Sequence, residues 1–278
     1  MKKRKVKKKI ICIFAVLVVL VSAYSLVEPY LIEIKATHME SSRIPPSFDG
    51  FKMVFISDLH HGPAYSIERI KDDVDRVIAL KPDIVLLGGD YTIENFKYIE
   101  PCIKELSRIK PTCGTFAIMG NHDFDYWDKG MLTKKYMRQY GIKDIDNTAV
   151  WINKGTDRIR LGGVSDLLRD KQDINPTLEP VGDNDFTVLL SHNPDYAEEL
   201  QTDKINLVLS GHTHGGIVSF FGLWAPFVPS KYGQKYRTGE VDAPHTKVIV
   251  TNGLGNYMYF PIRFFARPQI NIIYLQRK

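Results

Sequence analysis

Three cysteines in 278 residues are too few for a disulfide framework, and none stands in a CxxC pair. Cys12 lies in an apolar run. Cys102 and Cys113 leave open either one disulfide outside the cytoplasm or two free thiols. Internal repeats are missing, which excludes a solenoid or a propeller. Low-complexity sequence is missing beyond the first nine residues. Excess charge of one sign is also missing from most of the chain. The formal net charge is +5, yet residues 1–9 (MKKRKVKKK) hold seven Lys or Arg and no acid. The remainder carries 30 basic against 32 acidic residues, too balanced for a broad nucleic-acid footprint.

Charge of either sign is absent from residues 10–27, an apolar run of 18 residues. As a helix rising about 1.5 Å per residue it spans roughly 27 Å, sufficient to cross a bilayer core. Seven cations before it and Glu28 after it place the N-terminus in the cytoplasm and the rest outside. The expectation is a single-pass cell-membrane protein with an extracytoplasmic domain. A cleavable signal peptide is the other reading, because Val21-Ser22-Ala23 is an acceptable cleavage site and its use would yield a secreted protein. The uncut run exceeds an ordinary signal core, which favours the anchor. The expected organisation is a basic cytoplasmic leader over 1–9 and the transmembrane or signal segment over 10–27. A juxtamembrane linker over 28–50, stiffened by Pro45-Pro46, then leads to one domain over 51–278.

What is present is strand–helix alternation. Residues 51–57 (FKMVFIS) read as a buried strand, and Ile67, Ile70, Val74, Val77 and Ile78 then recur at helical spacing. Residues 83–90 (DIVLLGGD), 115–120 (TFAIMG), 186–191 (FTVLLS) and 206–211 (NLVLSG) repeat the apolar strand theme. Asn193 suits a helix N-cap with Pro194 as the first helical residue. Residues 151–163 read as a hairpin, and KVIVT and INIIYL as closing strands. Five strands therefore end in polar clusters, at the place where open α/β sheets gather ligand groups.

Taken singly, each cluster has an ordinary explanation. Asp58 and His60 form a D-x-H pair that extended backbone would project to one face, and His212 and His214 share that spacing. Asp90 after Gly88-Gly89, and Asn121, both suit turns. His192 suits a hydrogen-bonded structural histidine. Jointly these explanations are poor, because five of the eight histidines, two aspartates and an asparagine fall at five separate strand ends.

In this order the blocks D-x-H, GD, GNHD, H and GHTH resemble the calcineurin-like metallophosphoesterase superfamily. The longer strings SDLHHG, LLGGDY, MGNHDF, LSHNPD and SGHTHGG, with GLG and PIRFF near the end, are similar to its membrane-associated bacterial branch. That branch includes phosphodiesterases and UDP-2,3-diacylglucosamine pyrophosphatase-like enzymes. The resemblance implies an α/β fold, a four-layer β-sandwich flanked by helices, here preceded by one N-terminal transmembrane helix. It implies that Asp58, His60 and His214 hold one divalent ion, that Asn121, His192 and His212 hold a second, and that Asp90 bridges them. His122 would sit beside the leaving-group oxygen, with Asp123 orienting it. His61 would be structural or at the cleft rim.

The implied chemistry is hydrolysis of a phosphodiester or pyrophosphate by a metal-activated hydroxide. Two divalent ions against two carboxylates and that hydroxide leave about one positive charge for the substrate to neutralise. Nitrogen and oxygen ligands without thiolate leave Mn, Fe, Zn, Co and Ni open, with Mn, Zn or Fe the expected pair of ions. Residues 218–237 follow the last motif, and Phe220, Phe221, Leu223, Trp224 and Phe227 there fit no clean period. They read either as a loop packed on the domain or as a lipid-facing lip. In the second case Lys231, Lys235 and Arg237 would lie near headgroup phosphates. The expected substrate is a lipid-linked phosphate compound at the membrane, with no nucleic acid and no obligate protein partner. A tethered hydrolase of soluble diesters such as cyclic nucleotides, and a non-enzymatic metal-binding scaffold, are the alternatives.

Overall fold

The computed structural model describes residues 2–93, 95–124, 128, 130–179, 181–256 and 260–278. The uncharged run and its basic leader form α1, Lys2–Val27. Among the described residues this is the one helix long and apolar enough to cross a membrane, and none of its apolar window is buried.

The remaining described residues build two six-stranded sheets. The first contains β1 (Glu33–Ser41), β2 (Lys52–Ile56), β3 (Ile84–Leu87), β4 (Thr115–Ala117), β5 (Lys143–Asp144) and β12 (Gln269–Arg277). Its order is β1-β12-β2-β3-β4-β5, with β2 to β5 parallel. The second contains β6 (Thr148–Lys154), β7 (Asp157–Gly163), β8 (Thr187–Leu190), β9 (Leu207–Ser210), β10 (Gly239–Asp242) and β11 (Lys247–Val250). Its order is β10-β11-β9-β8-β7-β6, with β7, β8, β9 and β11 parallel. The expected hairpin is the antiparallel β6–β7 pair.

The strands read as continuous apolar runs because both faces are covered. Phe55, Leu86 and Phe116 point inward and pack with Val188, Leu190 and Leu209 of the second sheet. Truncating either buried phenylalanine to alanine would cost about 3–5 kcal/mol. The alternate residues Val54, Ile56, Val85 and Leu87 meet α2 (Ile67–Ala79) and α3 (Phe96–Leu106) through Ile70, Val74, Val77 and Ile103. Ser66 starts α2 by accepting the Arg69 amide, and Ile70, Val74 and Val77 supply its buried face. Over the second sheet the cover is thinner: Tyr196, Ala197 and Leu200, from and just beyond a 3₁₀ turn over Pro194–Glu198, pack on Leu189, Val208 and Val248. Asn193 caps that turn, accepting the Asp195 amide.

Three features differ from, or decide between, the readings of the sequence. Residues 28–50 are not a linker. Glu28–Tyr30 is a 3₁₀ turn, and β1 pairs in parallel with β12 over nine residues, so the segment is the edge of the first sheet. Cys102 and Cys113 are free thiols, one buried in the helix layer and the other partly exposed. The loop after the last histidine motif is a tight reversal with its aromatics outward rather than packed beneath it, Phe220 pairing with Trp224.

Candidate metal centre

All five polar clusters sit beyond the carboxyl ends of parallel strands, β2, β3 and β4 in one sheet and β8 and β9 in the other. The two sheets thus bring their strand ends to one seam. The backbone there is not extended. Asp58, His60, Asp90, His212 and His214 all have positive φ, between 48° and 68°. Extended geometry is therefore not what converges the D-x-H and H-x-H pairs; left-handed turns are. Non-glycine residues in that region are strained, and the surrounding hydrogen bonds hold them there. The Asp58 amide donates to Gly89 O at 2.9 Å and the His60 amide to Asp90 O at 3.0 Å. Both Asp58 oxygens accept the His212 amide, at 3.0 and 3.2 Å. Glycine is required where these loops touch: a Cβ on Gly211 would strike the Asp58 carboxylate, and one on Gly120 the Asp90 carboxylate.

The side chains form overlapping groups whose ligand atoms lie within 4.8 Å of one another: Asp58, His60 and His214; His60, Asp90 and His122; and Asp90, His192 and His212. His60 Nε2 is 3.1 Å from His214 Nε2, which is 3.3 Å from Asp58 Oδ1. One atom, Asp90 Oδ2, lies 3.5 Å from His60 Nε2 and 3.2 Å from His192 Nε2. Its partner oxygen, Oδ1, accepts the His122 amide at 2.8 Å. His192 Nδ1 lies 2.8 Å from Gly88 O, so the ring donates there and turns Nε2 toward Asp90.

Electrostatics follow from burial. Burial pushes His60 and His212 down to about 3, and His214 well below its ordinary value, leaving neutral imidazoles able to donate electron pairs. Burial, outweighing the pull of His192, lifts Asp58 to about 6. Burial opposes ionisation of Asp90 too, but His192 and His60 beside it hold it well below the carboxylate range. Conversely the Asp90 charge overcomes burial and raises His192. A cluster so rich in buried donors suits a divalent cation. Asn121 fits as well: it is buried, and its Oδ1 has no hydrogen-bond partner among the described residues.

Asp123 is buried, and its carboxylate accepts the amides of Asp90 at 2.7 Å, Tyr91 at 2.9 Å and Gly120 at 2.9 Å. It ties the β3 loop to the turn that carries His122, which is half-buried at the rim. His61 Nδ1 meets Tyr65 O at 2.9 Å, a structural contact. Arg237 departs from expectation. It is buried, donates to Gly222 O at 2.5 Å, and so braces the loop from within. Lys231 is exposed, and Lys235 is engaged by Glu198.

Arg263 was not singled out from sequence. It is fully buried, with Nη2 3.5 Å from His214 Nδ1 and donating to Asn252 O at 2.9 Å, and with Nη1 donating to Ala266 O at 2.7 Å. Its only signal was one arginine in the otherwise uncharged run PIRFF.

A sequence profile for calcineurin-like phosphoesterases matches residues 51–216. The chain belongs to that family. It is 32% identical over 255 residues to the uncharacterized metallophosphoesterase YkuE of Bacillus subtilis, covering 90% of this chain and 87% of that protein. It is 30% identical over 230 residues to the phosphodiesterase YaeI of Escherichia coli, covering 81% and 82%. A zebrafish transmembrane protein with a metallophosphoesterase domain is 30% identical over 84% of this chain, which spans 55% of that relative. The fold is similar to the NAD nucleotidase of Haemophilus influenzae, with a TM-score of 0.50 at 14% identity over 74% of this chain and 45% of the other. Family membership makes this chain a phosphoester hydrolase, and its His/Asp clusters are those expected to bind divalent metal.

Proposed function

We propose that this protein is a membrane-anchored, binuclear metal-dependent phosphoesterase that cleaves a phosphodiester or pyrophosphate bond in a lipid-linked substrate. The observation that carries the binuclear part is the position of Asp90 Oδ2 between His60 and His192, where one carboxylate serves both ligand groups. Asp58, His60 and His214 hold one ion; Asn121, His192 and His212 hold the other. When bound, the pair supplies a water of lowered pKa and a positive clamp for phosphoryl oxygens. The neutral imidazoles matter here, since further carboxylates would cancel the charge that attracts the substrate.

His122 does the protein's own acid–base work. Its amide is fixed to Asp90 Oδ1 and its side chain is half-buried, which supports a role in protonating the departing oxygen. Asp123 holds that turn in register with Asp90.

The anchor reading is supported by α1 and by the contacts of Tyr24 and Ser25 with the domain, which cleavage near Ala23 would leave without their helix. The positive leader supports an extracytoplasmic domain. Exposed Phe220, Phe221, Trp224 and Phe227 beside the His214 loop favour a substrate with an acyl chain. Assaying the full-length, metal-loaded protein on lipid-linked and small aryl diesters tests the substrate class. Robust turnover of the small diester with none of the lipid would contradict it.

A further inference from the structure

The C-terminal end of α1 is built into the domain at one short segment. The Arg263 amide donates to Ser25 O at 3.1 Å. The Tyr24 ring meets Phe264 edge-on at 5.7 Å and Phe265 at 5.4 Å. Glu28 is fully buried, and its two carboxylate oxygens accept the amides of Phe265 and Ala266, each at 2.6 Å. A buried carboxylate in that position is costly to leave unpaired, so it acts as a hook between helix and domain.

The same segment carries the root of the aromatic loop. The Phe264 amide donates to Ile217 O at 2.9 Å, and the Ser219 amide to Phe264 O at 2.7 Å. Phe221 then packs on Phe265 at 5.4 Å. Beyond this root the side chains face solvent: Phe221 is 76% exposed, Leu223 81%, Phe227 61% and, across the segment, Phe260 70%. Water disfavours such a concentration of large apolar groups on one surface. The patch is continuous with a helix whose apolar residues are themselves uncovered. Exposed Arg267 follows Phe265 by two residues and donates to Leu31 O at 2.9 Å.

Resting on the reading that α1 spans a bilayer, we infer that the tip of residues 220–227, with Phe260 and Phe265, is a second bilayer-docking surface, inserted in the leaflet where α1 emerges. The Glu28 hook sets its angle. The domain is then mounted rigidly on the membrane, and the His214 loop is held at the lipid surface, three residues from the root of the inserted tip. The occupant is the lipid bilayer, because the patch shares its junction with the spanning helix.

The test places full-length protein in phosphatidylcholine/phosphatidylglycerol vesicles, with Trp127→Phe and Trp151→Phe leaving Trp224 as the sole tryptophan. Lipids brominated near the headgroup should quench Trp224, and Glu28→Ala should reduce that quenching at least twofold while the protein still floats with the vesicles. Hydrogen exchange supplies a second reading free of the tryptophan substitutions: amides of residues 217–224 should exchange more slowly in the chain that keeps Glu28 than in the Glu28→Ala protein in the same vesicles. Co-flotation with an unquenched Trp224 and unchanged exchange overturns the docking surface and leaves the anchor intact. Failure to float overturns the anchor itself. Quenching indifferent to Glu28→Ala overturns the hook.

Discussion

The His122 amide donates to Asp90 Oδ1 at 2.8 Å, so the carboxylate placed between the two ligand groups also positions the rim histidine. Asp90→Asn should therefore lose bound metal and activity together. His122→Ala should keep its metal and lose about 10²- to 10⁴-fold in rate, the usual contribution of a positioned acid. Elemental analysis separates the two variants. Metal loss in His122→Ala would show that this ring is itself a ligand, as its grouping with His60 and Asp90 permits on distance alone.

Metal affinity should fall on acidification. Metal binding needs Asp58 ionised and His192 neutral. Without metal, burial holds Asp58 protonated below about 6, and the Asp90 charge, outweighing burial, raises His192. His60 and His212, neutral above about 3, release nothing. Each displaced proton weakens binding about tenfold per pH unit, so below pH 6 the slope should approach two protons. Metal titrations from pH 5 to 8 read it directly. A flat profile would contradict the ligand assignment.

Trp224 and Phe227 are 50% and 61% exposed, so truncating both to alanine should shift the melting temperature little. The apparent KM for a lipid-linked substrate should rise severalfold, while turnover of a soluble aryl diester stays the same. Parallel loss of both activities with a fallen melting temperature would assign these rings to packing.

Topology offers an independent check. A C-terminal reporter active only outside the cytoplasm should be active, and the mature chain should retain residues 1–27. N-terminal sequencing that begins near Tyr24 would remove the anchor and leave the catalytic assignment untouched.

The strands that carry the site were legible because parallel strands covered on both faces are continuous apolar runs, and each ends abruptly in polar residues. β1 was not. Its residues EIKATHMES alternate weakly, and its partner β12 begins more than 200 residues later, so nothing local marks it as a strand. The backbone of the ligands was misjudged for a related reason. Asp58 and His60 look like strand residues, but their left-handed φ is imposed by Gly89 and by the loop beyond β3, which only the fold brings near. The anchoring role of Glu28 was silent in the sequence because it acts through the backbone amides of Phe265 and Ala266 at the far end of the chain, and that of Arg263 because its partners are backbone carbonyls, which no side-chain pattern marks.

The most direct test of the central claim counts metal against activity in one preparation. Elemental analysis of the purified chain, alongside phosphodiester hydrolysis before and after chelation, should give two divalent ions per chain. Activity should vanish on stripping and return in step with reloading. Full activity in metal-free protein, or saturation at one ion per chain, would contradict a centre bridged by Asp90.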